Sequence, residues 1–495
     1  MSGVMKRLAK ETAVYGLSSI IGRFLNWLLV PMYVRVLDNI GEFGIYTNLY
    51  AWVALLLIIL TYGMETGLFR FINKKEEEKP DRVYATTLFS VGSTSVLFTV
   101  LVIFMIKPLS EVLNYGTHPE YLSMMAIVVA IDAFCCIPFA YLRHKRKAIR
   151  FMYIKFVSIF LNIILNIFFL IVCPYINKHW PEAIGWFYIS NYGVGYVFVS
   201  NIITTVVTLL LLIPDIIPGL KEKIDWFLLR KMLQYSFPIL ILGMAGIFNQ
   251  TADKILFPFL FSDKEYAKEQ LGIYGACFKI AVVMVMFIQA FRYAYEPFVF
   301  SHHKKDNDKS AYSEAMKYFI IFSLIIFISV IYYLDVLKYF VSEDCYPGLM
   351  VVPIVMMGEL FFGIYYNLSI WYKLIDRTEW GAWFSLSGCV ATVSIILIYA
   401  PQYGYIACAW ASFVCNMLMM LLSYFIGQKK FHVTYDLKTI FIYFVLAAIF
   451  YLAGIYPTID SLAYRLLYRT ALLTVFIVFA IKRDFPIHMI KRKIK

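Results

Sequence analysis

The chain has 495 residues, of which 61% are hydrophobic and only 16% charged, and its mean hydropathy is +0.72; a soluble globular domain carries roughly 45 to 50% apolar and about 25% charged residues. This composition excludes an ordinary water-soluble protein and points to a polytopic membrane protein. The formal net charge of +13 is no argument for nucleic acid, because it arises from basic residues between apolar runs and suits an anionic inner leaflet.

Runs of roughly 20 apolar residues, long enough to span the hydrocarbon, stand at 12–34, 44–64, 84–106, 120–142, 151–173, 185–213, 232–252, 272–296, 315–336, 349–372, 380–400, 403–426, 438–455 and 465–481. They predict an all-α integral membrane protein of about fourteen transmembrane helices. The first run holds Arg23 near its centre, where a full charge costs about 2.5 to 3.5 kcal/mol on insertion-derived scales and normally faces a polar cavity. Glu65 ends the second run, Asp253 and Lys254 follow the seventh, Lys279, Arg292 and Glu296 occupy the eighth, and Glu359 lies in the tenth. Cations directed inward from several helices predict a pathway for something anionic. The alternative is that these charges pair with one another and hold the bundle together. Arg292 and Glu296, spaced i to i+4 on one helix, are a candidate pair of that kind.

Lys and Arg accumulate on the cytoplasmic side of a membrane. Here they collect in alternate connections: Lys6, Arg7 and Lys10; Arg70 to Arg82; Arg143 to Lys155; and the tail from Lys482 to Lys495. Both termini are therefore expected in the cytoplasm, with multi-pass insertion in a bacterial inner membrane, and the first helix is expected to stay because no clear small-residue cleavage site follows it. Six of the eight cysteines fall inside apolar runs, without the spacing of a disulfide framework or a zinc site, so no metal or cofactor is expected.

Gly44-Ile45-Tyr46 opens the second run and Gly272-Ile273-Tyr274 the eighth, each after one span and a polar loop. This match predicts a parallel repeat of two six-helix lobes, a plan that transporters use to surround a central cavity, plus two C-terminal helices. The expected divisions are an N-terminal lobe over 1–213, an amphipathic linker over 214–231, a C-terminal lobe over 232–427, and the last two helices with a basic tail over 428–495.

The stretch from Gly22 to Phe71 carries Gly22, Arg23, Pro31, Tyr33, Arg35, the run Glu42-Phe43-Gly44-Ile45-Tyr46, Gly63 before Glu65, and Arg70-Phe71. It resembles the opening helices of polysaccharide-exporting flippases in the multidrug/oligosaccharidyl-lipid/polysaccharide superfamily. Tyr235 to Phe257 and Gly272 to Ala281 are similar to their seventh and eighth helices. The resemblance implies a non-enzymatic transporter that turns a polyprenyl-pyrophosphate-linked oligosaccharide from the inner leaflet to the outer one, with a coupling cation, H+ or Na+, as a further partner. Arg donates bidentate hydrogen bonds to phosphate oxygens and Lys supplies a point charge, so Arg23, Lys279 and Arg292 are the expected pyrophosphate ligands. Asn26, one helical turn after Arg23, is expected to line the polar wall beside it. Glu65, Asp253, Lys254 and Glu296 are expected to serve in ion coupling or ion pairs. A multidrug antiporter of the same superfamily is the nearer rival. A membrane glycan polymerase or ligase is the further one, disfavoured by short outer loops and scattered histidines.

Overall fold

The computed structural model describes residues 21–73, 79–303, 309–375, 377–457 and 459–484, with the side chains of 294 and 296–303 left aside. Residues 12–20 of the first apolar run, Lys6, Arg7, Lys10, Lys74, Lys75, the end of the tail and the side chain of Glu296 lie outside the described residues. Among those described, every regular element is helical, and thirteen helices are long and apolar enough to cross a membrane. Residues 21–27 are helical as well and lead into α1 (Val30–Val36), the end of the first run.

The spans that follow are α2 (Ile40–Ile72), α3 (Pro80–Phe104), α4 (Pro119–His144), α5 (Ala148–His179), α6 (Gly195–Leu220) and α7 (Trp226–Phe259). After them come α8 (Lys264–His303), α9 (Ser310–Tyr332), α10 (Glu343–Leu374), α11 (Glu379–Tyr403), α12 (Tyr405–Lys430), α13 (Leu437–Ile455) and α14 (Leu462–Asp484). Helices dominate because hydrocarbon offers no partner for backbone N–H and C=O groups, and a helix satisfies both within one segment. Their ends carry ordinary signals. Asn39 accepts from the Glu42 amide at 3.0 Å to open α2, Asp225 accepts from Phe227 and Leu228 at 3.0 Å to open α7, and proline begins α3 and α4.

The chain divides into two compact units. The first comprises Met1–Gly275 with Ile396–Tyr405, the second Ala276–Ile395 with Ile406–Lys495. In the first, α4 packs against α2, α3 and α6. Met64, Leu68, Tyr84, Ile137, Leu212 and Met232, all buried, form its main apolar core. Tyr84 stacks on Tyr141 at 3.8 Å between centroids and donates to the Asp215 carbonyl at 2.9 Å, so the most buried ring of this core also satisfies its hydroxyl. In the second unit α9 packs on α10, α13 and α14, and an aromatic core gathers Tyr365, Trp371, Tyr372 and Phe384.

Two local features of the first unit shape α2. It is broken at Tyr62 and Gly63, which take φ of +32° and +74°; the left-handed region is open to glycine and costly to other residues. The break re-aims the segment Met64–Ile72, which carries Glu65. Nearer the start of α2, the two matching triplets of the sequence meet each other. A Cβ on Gly44 would fall 1.9 Å from the Lys268 carbonyl oxygen, and one on Gly272 would fall 2.0 Å from that of Ile40. Only glycine at both positions lets α2 and α8 approach so closely, as in small-residue crossings of membrane helices.

Candidate functional site

Arg23 and Asn26 are both exposed on the helical segment 21–27, three residues apart and so on one face. Gly22 beside them abuts Ile159 of α5. Arg23 forms no ion pair among the described residues. Glu65, one of the acids the sequence offers as an ion-pair partner, is taken elsewhere, as Arg143 of α4 forms a short ion pair with it and also lies over the Phe69 ring at 5.1 Å. Glu65 lies just beyond the break at Tyr62–Gly63.

Asp253 is likewise engaged, with its carboxylate 2.8 Å from the Lys254 ammonium and accepting the Tyr274 hydroxyl at 2.6 Å. The carbonyl of Lys254 accepts from the Asn48 amide at 2.7 Å, and Tyr115 donates to Asn48 at 2.8 Å. These five residues tie α2, α7, α8 and the Tyr115 loop together beside the Gly44–Gly272 crossing.

Lys279 and Arg292 lie half-buried on α8 in the second unit. Thirteen residues separate them along one continuous helix, or about 20 Å at a rise of about 1.5 Å per residue. They are therefore not brought together on one small anion. Arg292 instead joins Lys373, with the guanidinium carbon 3.9 Å and the ammonium 4.7 Å from the centre of the Tyr366 ring. The ring's electron-rich face favours cations, and it brings these two positive groups to one ring.

The first unit holds a polar cluster that the sequence reading passed over. Asp132 lies at the middle of α4, its side chain not packed over although three other helices of the unit engage it. Thr205 of α6 donates to its carboxylate at 3.5 Å, and Lys155 of α5 and Tyr50 of α2 interact with it electrostatically. Asn201 donates to the Tyr50 hydroxyl at 2.5 Å and accepts from Asn162 at 3.0 Å. Tyr33, Tyr46 and Tyr50 follow one another as a row of tilted rings, with centroids 5.4 and 4.4 Å apart. A mid-run charge, the signal that marks Arg23, marks Asp132 equally. Lys155, which the sequence places in a basic loop, stands two turns inside α5, and its ammonium lies 4.1 Å over the Phe139 ring. Among the described residues no group of His, Cys, Asp and Glu side chains is arranged to hold a metal ion.

Comparison with known proteins agrees with this architecture. The fold is similar to that of the lipid II flippase MurJ in an inward closed conformation, with a TM-score of 0.69 at 14% identity over 96% of this chain and 99% of that one. An inward-facing multidrug resistance MATE family transporter of the MOP superfamily matches with a TM-score of 0.61 at 14% identity, over 86% and 97%. A mutant form of the Vibrio cholerae MATE transporter VcmN matches at 0.56 and 12% identity over 86% and 97%. No curated protein matches the sequence. The profile of the family described as polysaccharide biosynthesis protein matches residues 8–301, more than half of the chain, and the chain belongs to that family.

Proposed function

We propose that this protein is a flippase that carries a polyprenyl-pyrophosphate-linked oligosaccharide from the cytoplasmic to the outer leaflet by alternating access, for the assembly of a surface glycan. The observation that carries this reading is cationic: Arg292 and Lys373 share the Tyr366 ring near the ends of two candidate spans of a chain whose family is named for polysaccharide biosynthesis. Such a substrate joins an anionic pyrophosphate to a hydrophilic glycan and an apolar tail. Its carrier needs positive charge within the membrane, polar walls for the sugars and access to lipid. In the second unit Arg292 with Lys373 is the pair proposed for the pyrophosphate, with Lys279 a separate cation farther along α8; Arg23 with Asn26 is proposed as a cationic group of the first unit. The row of rings from Tyr33 to Tyr50 suits the sugars.

The divisions at 1–213, 214–231, 232–427 and 428–495 are our proposal for the two lobes, their linker and the terminal pair. An inner membrane location with both termini in the cytoplasm belongs to the same proposal. An H+ or Na+ gradient is the proposed driving force.

The deciding experiment reconstitutes the full-length protein in vesicles with a fluorescent polyprenyl-pyrophosphate oligosaccharide and measures how much probe a membrane-impermeant quencher reaches over time. Protein-dependent exchange between leaflets, lost in Arg292→Ala and recovered in part by Arg292→Lys, is expected, since a point charge replaces a bidentate fork. In cells, loss of the protein should strand the lipid-linked oligosaccharide in the inner leaflet without altering drug tolerance. Hypersensitivity to cationic drugs with an intact surface glycan would instead make the protein a multidrug antiporter.

A further inference from the structure

We propose that Asp132 and Lys155 form a proton-controlled anion site in the first unit, at which protonation of Asp132 leaves the Lys155 ammonium available to an anionic group such as pyrophosphate. The chemistry of the anion rests on the flippase reading; the proton site does not.

The placement of Asp132 is the first argument. It lies at the middle of α4, where an ionised carboxylate is expensive, yet no cation touches it among the described residues. Glu65 and Asp253 each have a basic side chain in direct contact, whereas Asp132 has a single long hydrogen bond from Thr205. The groups around it come from every helix that bears on it. Tyr50 projects from α2, Lys155 from α5 and Thr205 from α6, with Cys135 on α4 itself. From α3, which also packs on α4, no titratable group interacts with Asp132 among the described residues. Farther along, Cys136 interacts with Glu65 and Arg143, a pair already closed on itself. Asp132 is nevertheless not packed over by its neighbours in the chain, so a proton can arrive wherever water reaches that face.

Lys155 supplies the other half. Its ammonium rests on the Phe139 ring at 4.1 Å and is in direct contact with no carboxylate among the described residues, although it interacts with Asp132 across the intervening space. Ionised Asp132 opposes the positive charge of Lys155 and repels an incoming anion. Once a proton from water binds a carboxylate oxygen, the net charge of the pair rises from zero to plus one, and the Lys155 field acts on an anion unopposed. By linkage, an anion bound at Lys155 must in turn draw a proton onto Asp132. Asn162 and Asn201 border the cluster, Asn162 donating to Asn201 and Asn201 to the Tyr50 hydroxyl.

The test uses purified full-length protein in detergent with farnesyl pyrophosphate as probe and farnesol as the uncharged control. Affinity of the wild type for the pyrophosphate should rise about tenfold from about pH 8 to about pH 5.5, the change that one unit of pKa coupling gives, and binding should take up protons from a weakly buffered solution. Asp132→Asn should bind at both pH values as the wild type does at the lower one, without proton uptake. Lys155→Ala should bind weakly at both, and Lys155→Arg should recover affinity. A carboxyl stretch in the infrared difference between the two pH values, present in the wild type and absent in Asp132→Asn, reads the proton site directly. Equal pH dependence in the wild type and Asp132→Asn overturns the proposal. If the carboxyl band titrates but no pyrophosphate binds at either pH, the anion half falls together with the flippase reading. If pyrophosphate binds without pH dependence and no band appears, this proposal falls and the flippase reading stands.

Discussion

Which charges are already spoken for decides what a substitution will do. Glu65 is held by Arg143, so removing Arg23 leaves no acid stranded, and it also removes an insertion cost. Arg23→Ala is therefore expected to reach the membrane in normal amount while leaflet exchange falls; quantifying protein and flipped lipid in the same membranes checks this, and loss of the two in proportion would refute a binding role. Arg143→Ala differs, because it frees Glu65. Breaking a fully buried pair costs about 3 to 5 kcal/mol and an exposed one about 0 to 1. With the two side chains 33% and 39% exposed, the lower end applies. A modest drop in thermal stability is expected for Arg143→Ala, relieved by adding Glu65→Gln; a double variant no more stable than the single one would show that the pair is not the cause. At this scale the sequence was legible only in part. Mid-run charges singled out Arg23 and Arg292 as candidates, but the partners of Glu65 and Asp253, and the sharing of Tyr366 between Arg292 and Lys373, depend on which helix faces meet. Asp132 was within reach of the same rule that found Arg23, whereas Lys155 was hidden by its nearness to the basic run that begins at Arg143.

Helix spacing rests on glycine where α2 meets α8. Lipid tails are as apolar as leucine, so membrane helices gain little from burying apolar area and depend on close packing. A methyl group at Gly44 would meet the Lys268 carbonyl at 1.9 Å, and one at Gly272 the Ile40 carbonyl at 2.0 Å. Neither carbonyl can swing aside without disturbing its helix, so the two helices must separate. Gly44→Ala and Gly272→Ala are each expected to destabilise the protein by about 1 to 3 kcal/mol, the usual range for overpacking, as a lowered thermal midpoint in detergent. Gly246→Ala is the control, since nothing lies within 4 Å of its added methyl and alanine suits a helix better. An unchanged midpoint in both crossing variants, set against Gly246→Ala, would show that the crossing is not tight. The apolar runs located the spans because length and hydropathy are local properties. The repeated Gly-Ile-Tyr triplet marked the positions of this contact, although one sequence could not show that its two copies touch each other. The break at Tyr62–Gly63 was also beyond reach, because glycine within an apolar run is common and only the left-handed backbone at that point makes it necessary.

Topology follows from the number of crossings, and which side is which follows from charge. Between the turn at Arg146 and the start of α8 the chain runs through α5, α6 and α7, three helices long and apolar enough to span. An odd number of crossings places Arg146 and Glu265 on opposite sides of the membrane. From the density of basic residues between Arg143 and Arg150, the Arg146 turn is expected in the cytoplasm. Both positions are open to a reagent, as Arg146 is exposed and the Glu265 side chain is 76% exposed. The eight native cysteines are all buried or half-buried and give little background. In intact cells a membrane-impermeant maleimide is therefore expected to label Glu265→Cys and to spare Arg146→Cys until the membrane is opened. Labelling of both in intact cells would mean that one of α5 to α7 fails to cross, and labelling of Arg146→Cys alone would reverse the orientation, and with it the direction of transport proposed above.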